Sequence, residues 1–202
     1  MIQISNLETY GWEATIRGMR NPLNSWDRSD TKHISEIGCN DLDLMKRLRD
    51  AGTDHRKFMR MISVSCDILA PLYWWKEFDT YKVGTTANSC STMHKIHAKE
   101  FTLDDFSYDH LYPNSILVLT GIIDELNRCR ESYLKTNERD DWWQLIQLLP
   151  SSYNQKRTVM LNYEVLANMY HSRKFHKLDE WREFCKAMAE ELPYSELFTD
   201  TI

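Results

Sequence analysis

Two periods of hydrophobic spacing alternate along the chain. From Asn40 to Gly52 the run NDLDLMKRLRDAG places Leu44, Leu48 and Ala51 on one stripe, with Asp41 and Asp43 first and basic residues behind. Acid early and base late complement a helix dipole, so the run predicts a short helix, capped by Asn40 and stopped at Gly52. From Arg60 to Ile68 the period falls to two, with Ile62, Val64, Cys66 and Ile68 on one face, which predicts a half-buried strand. Pro71 then opens an aromatic helix, LYWWKEF, whose Trp74 and Trp75 suit a core or a subunit interface. A loop of small polar residues, GTTANSCST, follows.

Helical spacing dominates downstream. Asn114 is placed to cap SILVLTGIIDELNRCRESYL, with Ile116, Leu119, Ile123, Leu126 and Tyr133 near one face. WWQLIQLL ends at Pro150. Leu161, Val165, Met169 and Ser172 recur at helical spacing and predict a helix over Lys156–Ser172. Trp181, Cys185, Met188 and Leu192 do the same for Leu178–Glu191. No repeat or linker interrupts residues 1–202, and six glycines and five prolines leave little material for one. The pattern predicts one α+β domain, mainly helical.

Composition narrows the class. Hydrophobic residues at 42% and charged residues at 27% are those of a folded globule. A net charge of -5 argues against a broad surface for nucleic acid or anionic membrane, while a local pocket for one phosphate needs only a cation or two. The apolar stretches, such as Ile116 to Leu119, are too short to span a bilayer. Five scattered cysteines without a CxxC pair suit reduced thiols in a cytoplasm, and the first residues lack the basic-then-apolar run of a signal peptide.

Several catalytic patterns are missing: GxSxG, the P-loop and GxGxxG. Cys90, His94 and His97 would fall at i, i+4 and i+7 of a helix, but no HExxH or fourth ligand accompanies them, so no metal site is expected. Asp104-Asp105 reads as a cap rather than an acid–base pair.

The segment from His55 to His94 resembles the flavin-dependent thymidylate synthases. There a histidine precedes a strand, an Ala-Pro turn and an aromatic helix, which leads into R-H-R-x-x-S-x-N-E-x-S-x-R-Y. Here His55, Ala70-Pro71 and Trp74-Trp75 follow in that order, and the polar loop carries Thr86, Asn88, Ser89 and Ser91. Independently, Leu149-Pro150, Asn162-x-Glu164-x-Leu166, Asn168 and Arg173 match the family's Leu-Pro, its N-x-R-x-L, the polar residue one turn on and the arginine beyond. LDEWREF is similar to the family's closing W-E-I-R helix.

The resemblance implies a mainly helical α+β fold with a small central β-sheet, a homotetramer, and methylation of dUMP to dTMP. FAD would be the cofactor and methylenetetrahydrofolate and NADPH the co-substrates, and no enzyme nucleophile is required. It implies Arg173 as the catalytic residue at the pyrimidine. It assigns dUMP to Glu77, Ser89, Ser91 and Arg173, and FAD to His55, Tyr81, Lys82, Asn88, Asn162 and Asn168. Plainer roles exist for most of these: loop capping for Ser89 and Ser91, a turn cap for His55, surface charge for Glu77 and Lys82. If one helix carried both, Asn162 and Asn168 would face different directions.

The chain departs from the motif where it matters for charge. Thr80-Tyr81-Lys82 stands for RHR, or Tyr81-Lys82-Val83 if a one-residue insertion lies earlier; Ser89 stands for the glutamate, Met93 for the last arginine and Glu164 for the arginine of N-x-R. Arginine's planar fork grips phosphate as lysine cannot, so weakened flavin retention is expected unless other cations substitute. Lys82, Lys95, Arg157, Arg17 and Arg20 are the candidates. A protein that binds the nucleotide without the flavin reaction, or modifies a pyrimidine nucleotide differently, is the alternative.

Overall fold

In chain order the elements are β1 (Gln3–Tyr10), α1 (Trp12–Arg20), α2 (Cys39–Asp50), β2 (Ser63–Pro71), α3 (Leu72–Phe78), β3 (Thr86–Ser89), α4 (Pro113–Thr136), α5 (Arg139–Leu148), β4 (Asn154–Asn162), α6 (Tyr163–Arg173), α7 (Asp179–Glu191) and α8 (Glu196–Thr199). The structure, a computed structural model, describes residues 2–33 and 35–201. The strands form one antiparallel sheet in the order β1-β2-β4-β3. Strand β2 is as the alternation predicts: Val64, Cys66, Ile68 and Ala70 are buried and the residues between them half-buried. On its polar side the Asp67 carboxylate accepts from Asn6 of β1 (2.9 Å) and Thr158 of β4 (2.6 Å), tying three strands together.

By internal contact the chain divides into two compact units. One comprises Met1–Gln3, Ile68–Thr80 and Asn88–Arg157; the other comprises Ile4–Asp67, Tyr81–Ala87 and Thr158–Ile202. In the first, Trp74, Trp75 and Phe78 of α3 are buried ring against ring, so both tryptophans are core residues. The Trp75 indole N–H donates to the Gln155 carbonyl (2.9 Å). A second apolar cluster gathers Leu119, Ile123, Leu126 and Cys129 of α4 with Leu145 of α5, Phe101 and Phe106. In the second unit Trp12 packs edge-on to Tyr163 and Tyr194, and Tyr163 on Phe198. Among the described residues no helix is long and apolar enough to cross a membrane.

Four local expectations are corrected. Helix α2 begins two residues earlier, with Gly38 rather than Asn40 at the cap position, and the Asp30 carboxylate accepts the N–H groups of Asn40 (2.9 Å) and Asp41 (3.1 Å). The cap therefore comes from Asp30, nine residues before the first residue of the helix, not from Asn40. A Cβ on Gly38 would lie 2.1 Å from that carboxylate, so only glycine admits it. Helix α4 starts at Pro113, a residue suited to a first turn, with Tyr112 rather than Asn114 before it. Thr86–Ser89 is not loop but strand β3, at one end of the sheet order with every residue exposed.

The fourth correction reaches the candidate site. The predicted helix over 156–172 is strand β4 followed by helix α6. Gln155, Val159 and Leu161 are buried at even spacing, and Leu161 satisfies either period. Asn162 is where the period changes: its side-chain oxygen accepts the Val165 N–H (3.0 Å) and caps α6. Asn162 and Asn168 thus do not share a helix interior. Asp105 acts as a cap as expected, in reciprocal bonds with Thr102.

Candidate functional site

Arg173 is the last residue of α6, and its surroundings fix its side chain. Nε donates to the Tyr81 hydroxyl (2.9 Å). The guanidinium carbon lies 5.0 Å from the Trp181 ring centroid and 5.7 Å from that of Tyr81. Trp181, on α7, is fully buried, whereas Arg173 and Tyr81 are half-buried. The two rings meet edge-on at 6.0 Å, and the His176 ring also meets Trp181 edge-on, at 6.5 Å. A cation on one indole face gains about 0.5–1 kcal/mol or more and loses little freedom on meeting a ligand. Such a group suits a carboxylate, a phosphate, or charge developing on a carbonyl oxygen.

Tyr81 starts a short loop pinned to the head of the same helix. Gly84 has φ +81°, and a Cβ there would lie 3.0 Å from both Asn162 Nδ2 and Val165 Cγ2. Neither the backbone angle nor the space admits another residue comfortably. Lys82 and Val83, beside it, are exposed. So is Asn168 on α6.

Glu164 lies in the first turn of α6 and is 8% exposed, yet it is not an isolated charge. Arg56, equally buried, donates from Nε to Glu164 Oε1 (3.1 Å). The second carboxylate oxygen, Oε2, is buried with no hydrogen-bond partner. Where the resembling family has arginine on this helix, the chain carries a carboxylate and brings its arginine from the residue after His55. His55 is exposed and lines an apolar cavity of about 690 Å³ with Met19, Leu44, Leu48, Phe58 and Met61. The flavin implied by the resemblance is thus compatible with this unit in one respect hidden from the sequence: the negative charge that would repel its phosphates is met by Arg56.

In the other unit, Glu77 is half-buried on α3, and Asn88 and Ser89 lie exposed on β3. Ser91 caps a turn, its Oγ accepting the N–H groups of Met93 (3.2 Å) and His94 (2.9 Å). Arg157, a candidate substitute cation, is committed: it pairs with Asp79 (2.8 Å), bonds Gln155 (3.0 Å) and stacks on Trp75 at 4.3 Å. Arg20 is committed likewise, buried against Asp41 (2.6 Å). Arg17, Lys82 and Lys95 remain exposed.

No thiol is set up as a nucleophile in either core. Burial, with Asp67 adding to it, pushes Cys66 up to about 12; burial likewise pushes Cys185 up to about 12 against the opposing pull of Arg173 and Lys174. Both stay protonated near neutrality. Among the described residues no group of three potential metal ligands converges.

The structure brings together Arg173 and Tyr81, and it places Asn162 at the head of the helix that Arg173 ends. It adds two residues that motif reading missed, Arg56 and Trp181. The position of Arg56 next to His55 was the available signal for the first, and the tryptophan of LDEWREF for the second.

No protein-family model matches the chain, and no curated protein matches it. Solved structures do match in fold. The flavin-dependent thymidylate synthase ThyX from Helicobacter pylori, complexed with FAD and dUMP, aligns over 98% of this chain and 100% of its own, with 16% identity and a TM-score of 0.73. A second structure of ThyX from that organism with FAD and dUMP aligns over 100% of this chain and 99% of its own, with 16% identity and a TM-score of 0.75. The UMP/dUMP methylase PolB from Streptomyces cacaoi, bound with 5-Br dUMP, aligns over 99% and 95%, with 12% identity and a TM-score of 0.65. The chain therefore has the fold of flavin-dependent thymidylate synthases.

Proposed function

We propose that the protein methylates dUMP to dTMP in the cytoplasm, with FAD as cofactor, methylenetetrahydrofolate as carbon donor and NADPH as reductant. One observation carries the reading: in a chain of this fold, Arg173 is a guanidinium already held by Tyr81 and the Trp181 ring. Its role is to bind the pyrimidine and stabilise negative charge that develops on a ring carbonyl. Glu77, Ser89 and Ser91 are assigned to the nucleotide. The Ser91 oxygen already accepts two backbone N–H groups, so its own O–H is the donor it brings. His55, Tyr81, Lys82, Asn88, Asn162 and Asn168 are assigned to FAD, which when bound supplies reducing power as hydride. Because Asn162 Oδ1 is engaged in capping, its amide nitrogen is the group it has to offer.

Calorimetric titration with dUMP tests this. Arg173→Ala should weaken binding by about 1.5–3 kcal/mol, roughly ten- to a hundredfold, because a charge-assisted hydrogen bond is lost. It should also cost about 1 kcal/mol of stability through the Trp181 contact. Lys174→Ala should leave the affinity unchanged. Equal, negligible effects on affinity would remove the anchor of the assignment.

A homotetramer is part of the proposal. Leu117 and Val118 on α4 are exposed in one unit, and Val83 (90%) and Phe175 (88%) in the other; these are apolar side chains of the kind subunit contacts cover. Light scattering should report four chains per particle at micromolar concentration; a stable monomer would contradict it.

The second reading, nucleotide binding without the flavin reaction, is favoured by the internal commitment of Arg157 and Arg20, which leaves the motif arginines unreplaced by either. An absorbance spectrum of the purified protein separates the two: a colourless protein that still binds dUMP and takes up no added FAD supports binding alone.

A further inference from the structure

Between the end of α4 and the start of α5 lies a cavity of about 540 Å³, contained within one unit and using none of the residues assigned above. We propose that it is a second small-molecule site, for a planar aromatic anion.

The turn builds the cavity. Helix α4 stops at Asn137, whose left-handed backbone (φ 55°) returns its N–H to the Tyr133 carbonyl (2.8 Å), and Arg139 begins α5 two residues later. This brings Tyr133, Arg139 and Trp142 into one lining together with His94 and His97. The aromatic walls are held in place: the Trp142 indole N–H donates to the Met93 carbonyl (3.1 Å), and the Tyr133 ring meets the His97 ring edge-on at 4.9 Å. The His97 backbone is anchored in turn, its carbonyl accepting from Arg130 Nε (2.9 Å).

The charge of the lining gives the ligand its sign. The chain has 30 acidic residues against 25 lysines and arginines, yet no Asp or Glu lines this cavity, while Arg139 and two histidines do. Arg139 has no carboxylate partner among the described residues and lies 5.9 Å over the Trp143 ring. Of the acids flanking Arg139 in sequence, Glu138, Asp140 and Asp141, none is in the lining, and Asp141 turns its carboxylate to Ser132 (2.7 Å) and Thr136 (2.9 Å). His97 Nδ1 is buried without a partner, which leaves Nε2 as the ring nitrogen able to bond a ligand. A cation finds no oxygen anion here. A flat anion finds two ring faces, a guanidinium and imidazole donors, in a volume usual for small-molecule sites.

Phenyl phosphate is the probe, measured by calorimetry on the full chain with inorganic phosphate beside it. The expected result is a dissociation constant below about 1 mM for phenyl phosphate, with inorganic phosphate at least about tenfold weaker. Arg139→Gln and Trp142→Ala should each weaken phenyl phosphate by about tenfold or more, and Lys174→Ala should leave it unchanged. Circular dichroism on each variant verifies folding, and Arg139, being exposed, is the substitution least able to disturb it. Equal affinity for the two phosphates, or binding that survives Arg139→Gln in the folded variant but falls in Arg173→Ala, overturns the proposal. So does the absence of phenyl phosphate binding.

Discussion

Arg56→Ala should lower the free energy of unfolding by about 3–5 kcal/mol, the usual cost of leaving one member of a buried ion pair alone. The reason lies in Glu164, whose carboxylate is buried at the head of α6 with Arg56 at 3.1 Å on one oxygen and nothing on the other. Without the arginine, the protein must bury a bare charge or protonate it. Replacing both, as Arg56→Met with Glu164→Met, should recover most of the loss, since a well-packed apolar pair is often as stable as an ionic one. Urea unfolding followed by tryptophan fluorescence measures all three variants. A single-variant loss below about 1 kcal/mol would mean that water reaches the pair and that it is a surface feature.

The second large effect concerns Asp41. Its fully buried carboxylate accepts from Arg20 Nε (2.6 Å), the Ser29 hydroxyl (2.8 Å), and both the hydroxyl (2.7 Å) and N–H (3.0 Å) of Thr31. Burial alone would raise this carboxyl, but the hydrogen bonds from Thr31, Ser29 and Arg20 outweigh it and hold the group below the ordinary carboxylate value. The stabilisation is therefore fully present above the unfolded value, roughly pH 4, and is lost as pH falls through the lower folded value. Asp41→Asn should cost about 3 kcal/mol or more at pH 7, because Arg20 stays buried without its counter-charge. The variant should also lose this part of the acid dependence. Urea midpoints for both proteins from neutral pH down to about pH 3 decide it; curves that run parallel throughout would show that Asp41 does not titrate against folding.

Both predictions rest on pairs far apart in the chain, and this separates what was legible in the sequence from what was not. Period-two spacing from Ile62 to Ile68 identified β2 because a strand with one buried face must alternate. The aromatic helix after Pro71 and helix α7 carrying Trp181 were legible from local spacing too, at the helical period. Period alone could not divide 154–173, since Leu161 fits a strand and a helix equally; Asn162, capping Val165 N–H, marks the boundary only once the fold has placed it. Strand β3 had no apolar alternation to read, because at the end of the sheet all its residues are exposed.

The candidate site divides the same way. Sequence by itself determined the mainly helical α+β class and the candidacy of Arg173, His55 and the asparagines, through the order and spacing of short segments. Those are properties of neighbouring residues. Whether Glu164 is a repulsive charge depends on Arg56, 108 positions away. What orients Arg173 is Tyr81, 92 positions away. Arg157 and Arg20, unoccupied cations on paper, are already taken by Asp79 and Asp41. A charge acts through its distance in space and the polarisability of what surrounds it, and neither quantity exists until the chain has folded.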